Sequence, residues 1–336
     1  MKFRSILGAA ILLAAAASCK QVAMTQLKSI PDAAYAKGVS APFCGILQGV
    51  PVVAGGANFP DKPLLEGGAK RVYQDIWAYL SDEWVHAGLL PDSTAYGATF
   101  QLPDALVFAG GNVCGETTDK VYRVRLEEGK AVLESLPSLP LPMEQYGWTQ
   151  EADKLYLAGT EGVFCCTVGD FHWKKMADVP QPLVQPVVYA REGRLFLWGG
   201  FNPQTLAVSD QGWYLEGGQW KEAPAIPDGG TFVGATGATL PDGRLAVVGG
   251  VNREIFAKAL HNGPEDRIPY LSQEPAWYRF RQAVYLFDGK QWQQAAAHPF
   301  CALAGPGAAA YKEGLLIAGG ECKPGVRSPR IFCIKW

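Results

Sequence analysis

The sequence predicts an all-β fold built from six copies of one unit. A turn, four or five apolar residues and two small residues recur as GVPVVAGG, DALVFAGG, DKLYLAGT, GRLFLWGG, GRLAVVGG and EGLLIAGG. A second strand pattern follows each copy, usually with a tryptophan and a proline beyond it. The sixth copy stops at RIFCIKW, and the piece it lacks, QLKSIP, stands at the other end of the chain. These features predict a six-bladed β-propeller whose last blade is closed by both termini.

The composition agrees with many short strands joined by turns. The 336 residues are 48% hydrophobic and 18% charged, so the chain can bury a large core and disorder is not expected. The 39 glycines and 24 prolines supply turn residues. A net charge of -2 and a pI near 6.1 leave no basic surface for nucleic acid, so no nucleic-acid partner is expected.

The N-terminus is predicted to be an export signal. Basic residues precede the apolar run ILGAAILLAAAA, and small residues stand directly before Cys19, a pattern that resembles the bacterial lipoprotein box. We expect a signal peptide over 1–18, a lipidated Cys19, a tether over 19–25 and the propeller over 26–336. The protein would then be an exported, periplasmic or cell-surface lipoprotein that meets the membrane only through its lipid. An ordinary signal peptide cut nearby is the alternative.

The repeat also resembles the kelch motif, which forms one blade of a propeller. Five copies end in Gly-Gly and one in Gly-Thr, and the first glycine of each pair falls at positions 55, 110, 159, 199, 249 and 319. The spacing of 40 to 70 residues fits a four-stranded unit that carries loop insertions. The resemblance covers almost all of the mature chain.

Polar residues follow the Gly-Gly pairs at equivalent positions. They are Asn58, Asn112, Glu161, Asn202, Asn252 and Glu321. Because equivalent loops of a propeller converge on its central channel, we expect these side chains to form a polar ring suited to hydroxyl-rich ligands. Turn formation is the alternative for each asparagine, since asparagine tolerates left-handed backbone conformations.

Two loops are long enough to suggest a function. Residues 57–75 carry Arg71, and residues 251–285 carry Arg253 with several aromatic and basic residues: Tyr270, Trp277, Tyr278, Arg279 and Arg281. Arginines and aromatic rings in these loops are suited to an anionic sugar. The spacing of apolar residues early in the second loop predicts a helix that folds over the channel mouth as a lid. Packing of the loops onto the rim is the alternative.

The stretch GGECKPGVR places a carboxylate and a guanidinium on one stiff loop, as Glu321 and Arg327. A neighbouring cation is expected to keep the pKa of Glu321 low, so that it acts as an ionised base. Apart from Cys19, seven cysteines remain, an odd number at irregular spacing, and the four histidines are scattered, so neither a disulfide framework nor a zinc site is predicted. We therefore expect no metal and no cofactor.

GGECKPGVR, GGVNREIF and AGGANFPDKPLLEGG together resemble the bacterial N-acetylneuraminate epimerases, or sialic acid mutarotases. The order of the blades looks cyclically permuted, with the chain beginning just before the GGAN blade. The family's functional Glu and Arg, in a loop of the GExKPGxR type, map onto Glu321 and Arg327.

The resemblance implies acid-base interconversion of the anomers of N-acetylneuraminic acid, with sialic acid as the small-molecule partner. Glu321 would act as general base and acid, and Arg327 would hold the substrate carboxylate or polarise the anomeric centre. A glycan- or protein-binding propeller without catalysis is the competing function. A copper oxidase is not favoured, because no cluster of His and Tyr is evident at the strand ends.

Overall fold

A computed structural model describes residues 22–336 of the chain, and it is nearly all β. The predicted signal peptide and the predicted lipidation site, Cys19, lie outside the described residues. The first strand, β1, is Ala23–Gln26, and its first three residues fall in the segment predicted as a tether. No helix among the described residues is long and apolar enough to cross a membrane.

The first sheet follows β1. Its strands and those of its rim hairpin are β2 (Phe43–Leu47), β3 (Val50–Ala54), β4 (Ala57–Asn58), β5 (Arg71–Val72), β6 (Asp75–Leu80) and β7 (Glu83–Leu89). Strands β2, β3, β6 and β7 form an antiparallel sheet in that order, and β4 pairs with β5. A 3-10 helix at Leu64–Glu66 lies in the loop between β4 and β5.

The next two sheets follow the same plan. Their strands and rim strands are β8 (Thr94–Ala95), β9 (Ala98–Gln101), β10 (Leu106–Ala109), β11 (Asn112–Val113), β12 (Glu116–Thr117), β13 (Val121–Glu127), β14 (Lys130–Leu136), β15 (Gly147–Glu151), β16 (Lys154–Gly159), β17 (Gly162–Thr167) and β18 (Lys174–Ala177). The sheet orders are β9-β10-β13-β14 and β15-β16-β17-β18, with β8, β11 and β12 as a small rim sheet.

The fourth and fifth sheets contain β19 (Val184–Arg191), β20 (Arg194–Phe201), β21 (Gly212–Glu216), β22 (Gln219–Glu222), β23 (Ala235–Thr239), β24 (Leu245–Gly249), β25 (Ala283–Phe287) and β26 (Trp292–Ala297), each sheet in chain order. Helices α1 (Arg253–Leu260) and α2 (Arg267–Leu271) lie between β24 and β25. The remaining 3-10 turns are Pro227–Gly229, Pro264–Asp266, Pro275–Tyr278 and Pro299–Cys301.

The last sheet joins the two ends of the described chain. Its own strands and rim hairpin are β27 (Gly307–Tyr311), β28 (Gly314–Ala318), β29 (Glu321–Lys323), β30 (Val326–Arg327) and β31 (Ile331–Lys335). The sheet order is β27-β28-β31-β1, and β1 pairs antiparallel with β31 from Ala23 opposite Lys335 to Gln26 opposite Phe332. The expected all-β fold of four-stranded antiparallel sheets is therefore confirmed.

Neighbouring sheets bury apolar side chains between them. The first strands of the sheets contact each other in the circuit β2, β9, β15, β19, β23, β27 and back to β2. Six apolar clusters lie between consecutive sheets, one of them between the last sheet and the first. The second strand of each sheet is buried on both faces. In β3, for example, Val52 and Val53 enter different clusters, which explains its continuous apolar run.

The Gly-Gly pairs connect one sheet to the next. In the first sheet both Gly55 and Gly56 have left-handed backbones, with φ of 61° and 89°. The Gly56 N–H donates to the Thr94 carbonyl, in the loop that leads into the second sheet. A Cβ on Gly55 would lie 2.1 Å from that same carbonyl oxygen, so only glycine fits there. The glycines therefore allow close approach of backbones between sheets.

Candidate active site

A cavity of about 500 Å³ opens where the first strands of the six sheets begin. All six sheets contribute to its wall, and α1, α2 and the β29–β30 hairpin cover one side. Its polar lining comprises Ser40, Lys70, Tyr96, Thr99, Gln145, Gln185, Thr236, Asn252, Tyr270, Tyr278 and Glu321. Apolar side chains such as Ile255, Phe256 and Trp148 line the rest. A cavity with an apolar wall and a few polar groups is typical of a small-molecule site.

An incomplete circuit of five backbone hydrogen bonds supports this cavity. Six residues at or just before the start of the first strands have left-handed backbones, namely Ala41, Tyr96, Gln145, Gln185, Gly234 and Gly305. The Tyr96 N–H donates to the Ala41 carbonyl at 3.0 Å, and the Gln145 N–H donates to the Tyr96 carbonyl at 3.1 Å. Equivalent bonds join Gln185 to Gln145, Ala41 to Gly305 and Gly305 to Gly234. Left-handed non-glycine residues are strained and concentrate at functional sites.

Glu321 and Arg327 face each other across the β29–β30 hairpin. They are paired residues in the antiparallel register. Arg327 Nη1 lies 2.6 Å from Glu321 Oε1, and the Glu321 side chain is 25% exposed and lines the cavity. The sequence placed this carboxylate and this guanidinium on one loop, and the structure brings them into an ion pair at the cavity wall.

Arg327 lies behind Glu321, away from the cavity. Its side chain is 2% exposed and does not contribute to the lining. Nε donates to the Ala57 carbonyl at 3.2 Å, and the guanidinium lies 4.9 Å from the centre of the Phe59 ring. In this position Arg327 orients Glu321 and is not available to a substrate carboxylate, contrary to one of the two roles expected from the sequence.

Both long loops contact the Glu321 hairpin. A Cβ on Gly325, at the hairpin tip, would lie 2.6 Å from Leu64 Cβ, so the tip packs closely on the 3-10 helix of the first loop. On the other side, Lys323 Nζ donates to the Gln273 carbonyl of the second loop at 2.7 Å. Distant parts of the chain thereby fix the position of Glu321.

Burial raises the pKa of Glu321 above its ordinary value, because removing the carboxylate from water disfavours its charged form. The charges of Arg327 and Lys70 and a backbone hydrogen bond from Gly325 act in the opposite direction without cancelling this effect. The expectation of a low pKa was therefore wrong. The burial of the Glu321 carboxyl group could not be inferred from the sequence of its own loop. A carboxyl group whose pKa is raised is a stronger base when ionised than an exposed carboxyl group.

The structure does not bring the expected polar ring to the cavity. Of its six residues only Asn252 and Glu321 contribute to the lining. Asn58 is 1% exposed, donates to the Ala34 and Gly38 carbonyls and accepts from Tyr73. Asn112 lies in the rim strand β11, and Glu161 and Asn202 lie in loops outside the cavity lining.

The remaining asparagines form local contacts. Asn112 donates to Glu144 at 3.3 Å and accepts from the Gly115 N–H. Asn202 accepts from the backbone of Gln204 and Thr205, which is a turn. Asn252 caps α1 through the Ile255 N–H at 3.0 Å while it also lines the cavity. Turn and cap formation, the alternative considered for these asparagines, describes these contacts.

The arginines selected from the sequence point away from the cavity. Arg71 pairs with Asp61 at 3.1 Å, and Arg253 pairs with Asp210 at 2.5 Å. Neither residue contributes to the lining. Arg281 is buried against Phe232 and Tyr285 and pairs with Asp228 at 3.0 Å, so it supports the rim.

The predicted helix in the second loop is present as α1. Ile255, Phe256 and Leu260 lie on the face of α1 that lines the cavity. Phe256 also packs against Phe201, and the loop shares an apolar cluster with Val208, Val233 and other residues of the rim. The loop therefore covers part of the mouth and packs on the rim at the same time.

Many cavity residues were not identified from the sequence, among them Lys70, Tyr96, Gln145 and Gln185. Gln185 Nε2 donates to Gln145 Oε1 at 2.7 Å, so the two amides present one polar surface. Tyr96, Gln145 and Gln185 occupy equivalent positions at or just before the start of the first strands. Aligning the repeats at those positions, as well as after the glycines, was the signal that could have found them.

Residues 22–336 contain no group of three or more His, Cys, Asp or Glu side chains that could hold a metal ion. The seven cysteines in this part of the chain are free, and Cys44, Cys166, Cys301 and Cys333 are buried. Burial raises the pKa of the Cys44 thiol to about 12, as expected for a thiol that acts as a small apolar group.

Comparison with known proteins gives one consistent description. A family model for N-acetylneuraminate epimerase matches residues 136–335, a stretch that includes the β29–β30 hairpin. The N-acetylneuraminate epimerase of Yersinia enterocolitica serotype O:8 / biotype 1B is 32% identical over 181 residues, 48% of this chain and 46% of that protein. That of Yersinia pestis strain Pestoides F is 27% identical over 225 residues, 59% and 57% of the two chains. That of Brucella melitensis biotype 1 is 30% identical over 189 residues, 48% of each. The chain spans about half the length of the curated relatives it matches.

Proposed function

Because the chain belongs to the N-acetylneuraminate epimerase family, we propose that it interconverts the anomers of N-acetylneuraminic acid in the cavity that Glu321 lines. One observation carries the proposal. Glu321, held by Arg327 at 2.6 Å, opens onto a cavity large enough for a sugar and otherwise lined by amides, hydroxyls and apolar side chains.

The reaction needs two proton transfers and no redox chemistry. A base removes the proton of the anomeric hydroxyl while the bond from the anomeric carbon to the ring oxygen breaks, and the ring oxygen takes up a proton. The open-chain ketone then rotates, and the same steps in reverse close the ring on the other face. One carboxyl group can perform both transfers, accepting a proton as carboxylate and returning it as acid.

Glu321 meets the requirements of that base. Its raised pKa makes the carboxylate a stronger base than an exposed glutamate, and Arg327 fixes its orientation from the protein side. The paired amides of Gln145 and Gln185 offer both donors and acceptors to the hydroxyl groups of the sugar. Apolar contact with Phe256 and Trp148 suits the less polar face of the ring.

We further propose that the six sheets are the blades of one closed kelch-type propeller, with the last blade completed by the N-terminal strand. The circuit of contacts between the first strands, the six apolar clusters between consecutive sheets and the pairing of β1 with β31 support this closure. In that arrangement the cavity is one end of the central channel.

The test is proton NMR of freshly released α-N-acetylneuraminic acid, following its conversion to the β anomer. The protein is expected to accelerate the conversion. Glu321→Gln is expected to lower the catalysed rate about 10²- to 10⁴-fold, the usual contribution of a general base. Glu313→Gln is the matched control, since Glu313 lies on an exposed turn and pairs with Lys335.

Two results would count against the mutarotase. An unchanged rate in folded Glu321→Gln would remove Glu321 from the mechanism. No acceleration by the unmodified protein, together with line broadening of the sugar signals on binding, would favour the competing function, a glycan-binding protein without catalysis.

A further inference from the structure

Two charged side chains line the cavity among the described residues, Glu321 and Lys70. N-acetylneuraminate carries a carboxylate beside its anomeric centre, so a site for it requires a cation near the general base. The arginines expected to supply this charge are engaged elsewhere. Arg327 is buried behind Glu321, and Arg71 and Arg253 form ion pairs outside the lining. Of the basic residues in 22–336, Lys70 alone lines the cavity.

Lys70 is available to a ligand. It immediately precedes β5 in the first long loop, and its side chain is exposed. Its ammonium lies 3.4 Å from the Tyr96 hydroxyl and 5.0 Å from the centre of the Tyr96 ring. Within the described chain no ion pair joins Lys70 to a carboxylate, whereas its charge is near enough to Glu321 to lower the pKa of that carboxyl group.

Tyr96 is held firmly beside this ammonium. Its backbone is left-handed, with φ of 65°, and both its N–H and its carbonyl belong to the hydrogen-bond circuit below the cavity. A rigid phenol that contacts a lysine offers a second donor for an anion and limits where the ammonium lies. The loop carrying Lys70 is in turn fixed by the contact of Leu64 with Gly325 at the tip of the Glu321 hairpin.

We propose that Lys70, together with the Tyr96 hydroxyl, forms the subsite that binds the carboxylate of an anionic sugar substrate. This inference rests on the proposed function and names the group that selects acidic over neutral sugars. The ammonium supplies charge and the phenol a directed hydrogen bond, while Glu321 on the same cavity wall is left free for the anomeric hydroxyl.

Binding of a carboxylate at Lys70 also affects the base. The Lys70 charge is one of the influences that lower the pKa of Glu321, and a bound anion offsets it. The substrate therefore makes Glu321 more basic when it occupies the subsite. A neutral sugar in the same cavity leaves the Lys70 charge uncompensated.

The experiment compares Lys70→Met and Lys70→Arg with the unmodified protein, using N-acetylneuraminic acid and its methyl ester, which lacks the charge. Isothermal titration calorimetry gives Kd for both ligands, and NMR of anomer exchange gives KM and kcat for the acid. Lys70→Met is expected to weaken binding of the acid about tenfold or more, the usual effect of losing a hydrogen bond to a charged group. Binding of the ester is expected to stay the same, and Lys70→Arg to recover most of the loss.

Lys62→Met is the matched control, because Lys62 lies exposed in the same loop but does not line the cavity. Equal effects of Lys70→Met on binding of the acid and the ester, or an equal effect of Lys62→Met, would overturn the subsite.

The mutarotase proposal and the subsite proposal fail separately. If the protein binds the acid through Lys70 without accelerating exchange, the mutarotase fails and the subsite stands. If exchange is accelerated and Lys70→Met leaves KM and Kd unchanged, the subsite fails alone.

Discussion

At the residue scale, Glu321 is subject to opposing effects that originate in different parts of the chain. Burial raises its pKa, while Arg327 from its own hairpin and Lys70 from the first long loop lower it. The balance leaves the carboxyl group less acidic than an exposed glutamate. Activity that requires the carboxylate is therefore expected to increase as pH rises through this raised pKa.

The raised pKa of Glu321 also makes the free energy of unfolding depend on pH. The folded state binds the Glu321 proton more tightly than the unfolded state, whose pKa is near 4.5. The contribution of Glu321 to stability is therefore fully present below that pH and is lost as pH rises through the raised pKa of the folded state.

Removing Arg327 should shift the pH profile of the reaction. In Arg327→Met the largest charge that lowers the pKa of Glu321 is gone, so the acid limb of the kcat profile is expected to move to higher pH. NMR exchange rates measured across pH check this shift, and Arg327→Lys, which keeps the charge, should stay nearer to the unmodified protein. Arg330→Met is the control, since Arg330 lies three residues along the chain and stacks on Phe300 outside the cavity. An acid limb that does not move would show that Arg327 does not act through Glu321.

At the element scale, short segments are positioned by contacts with other segments more than by their own stability. Helix α1 has eight residues and would be marginal alone in water. It is held by the Asn252 cap and by apolar contacts with the rim. The β29–β30 hairpin is equally short and is fixed between the two long loops.

The cap at Asn252 can be tested by changing one side-chain oxygen. Asn252→Ala removes the acceptor for the Ile255 N–H and is expected to cost about 1 kcal/mol of stability, whereas Asn252→Asp keeps the acceptor and the stability. Urea unfolding gives the free energies, and exchange kinetics give KM. If both variants keep full stability but raise KM, Asn252 is a substrate contact, as the sequence suggested, and its cap contributes little.

At the scale of the whole molecule, the proposed closure is expected to make the six four-stranded sheets unfold as one cooperative unit. The N-terminal segment does more than pair β1 with β31. Leu27 is buried in the cluster between the last and first sheets, and the Trp84 indole donates to the Lys28 carbonyl at 2.8 Å. The segment thus connects the two sheets at the point where the ring of contacts joins.

Truncation tests this role. A chain beginning at Lys28 lacks β1 and Leu27, and it is expected to lose at least about 2 kcal/mol relative to a chain beginning at Val22, since burial of one leucine contributes about 1.5–3 kcal/mol. Urea unfolding should remain a single transition in the longer chain. Equal stability of the two chains would mean that the N-terminal strand does not close the fold.

The repeat made much of the architecture predictable. Apolar runs that end in Gly-Gly and the helical spacing in the second loop are local signals, and each corresponds to an element of the structure. The terminal strand lies at Ala23–Gln26 and overlaps the predicted QLKSIP only at Gln26. The pairing of Glu321 with Arg327 was also predictable, because both residues lie on one short hairpin. Such sequence patterns are predictive because they depend on the backbone conformation and the burial of residues within one repeat.

The identity of the cavity lining depended on the tertiary structure. Asn58, Asn112 and Asn202 looked equivalent to Asn252, but Asn58 donates to the Ala34 carbonyl, Asn112 to the Glu144 carboxylate, and Asn202 accepts from its own turn. Lys70 gave no sequence signal, since its role depends on a loop packed against a hairpin from the far end of the chain. The sequence by itself determined the all-β class, from six copies of one apolar repeat, and the placing of Glu321 and Arg327 on one loop. Only the tertiary structure decided which side chains meet in the cavity and how burial shifts the pKa of Glu321, because desolvation and charge act between groups close in space, whatever their separation along the chain.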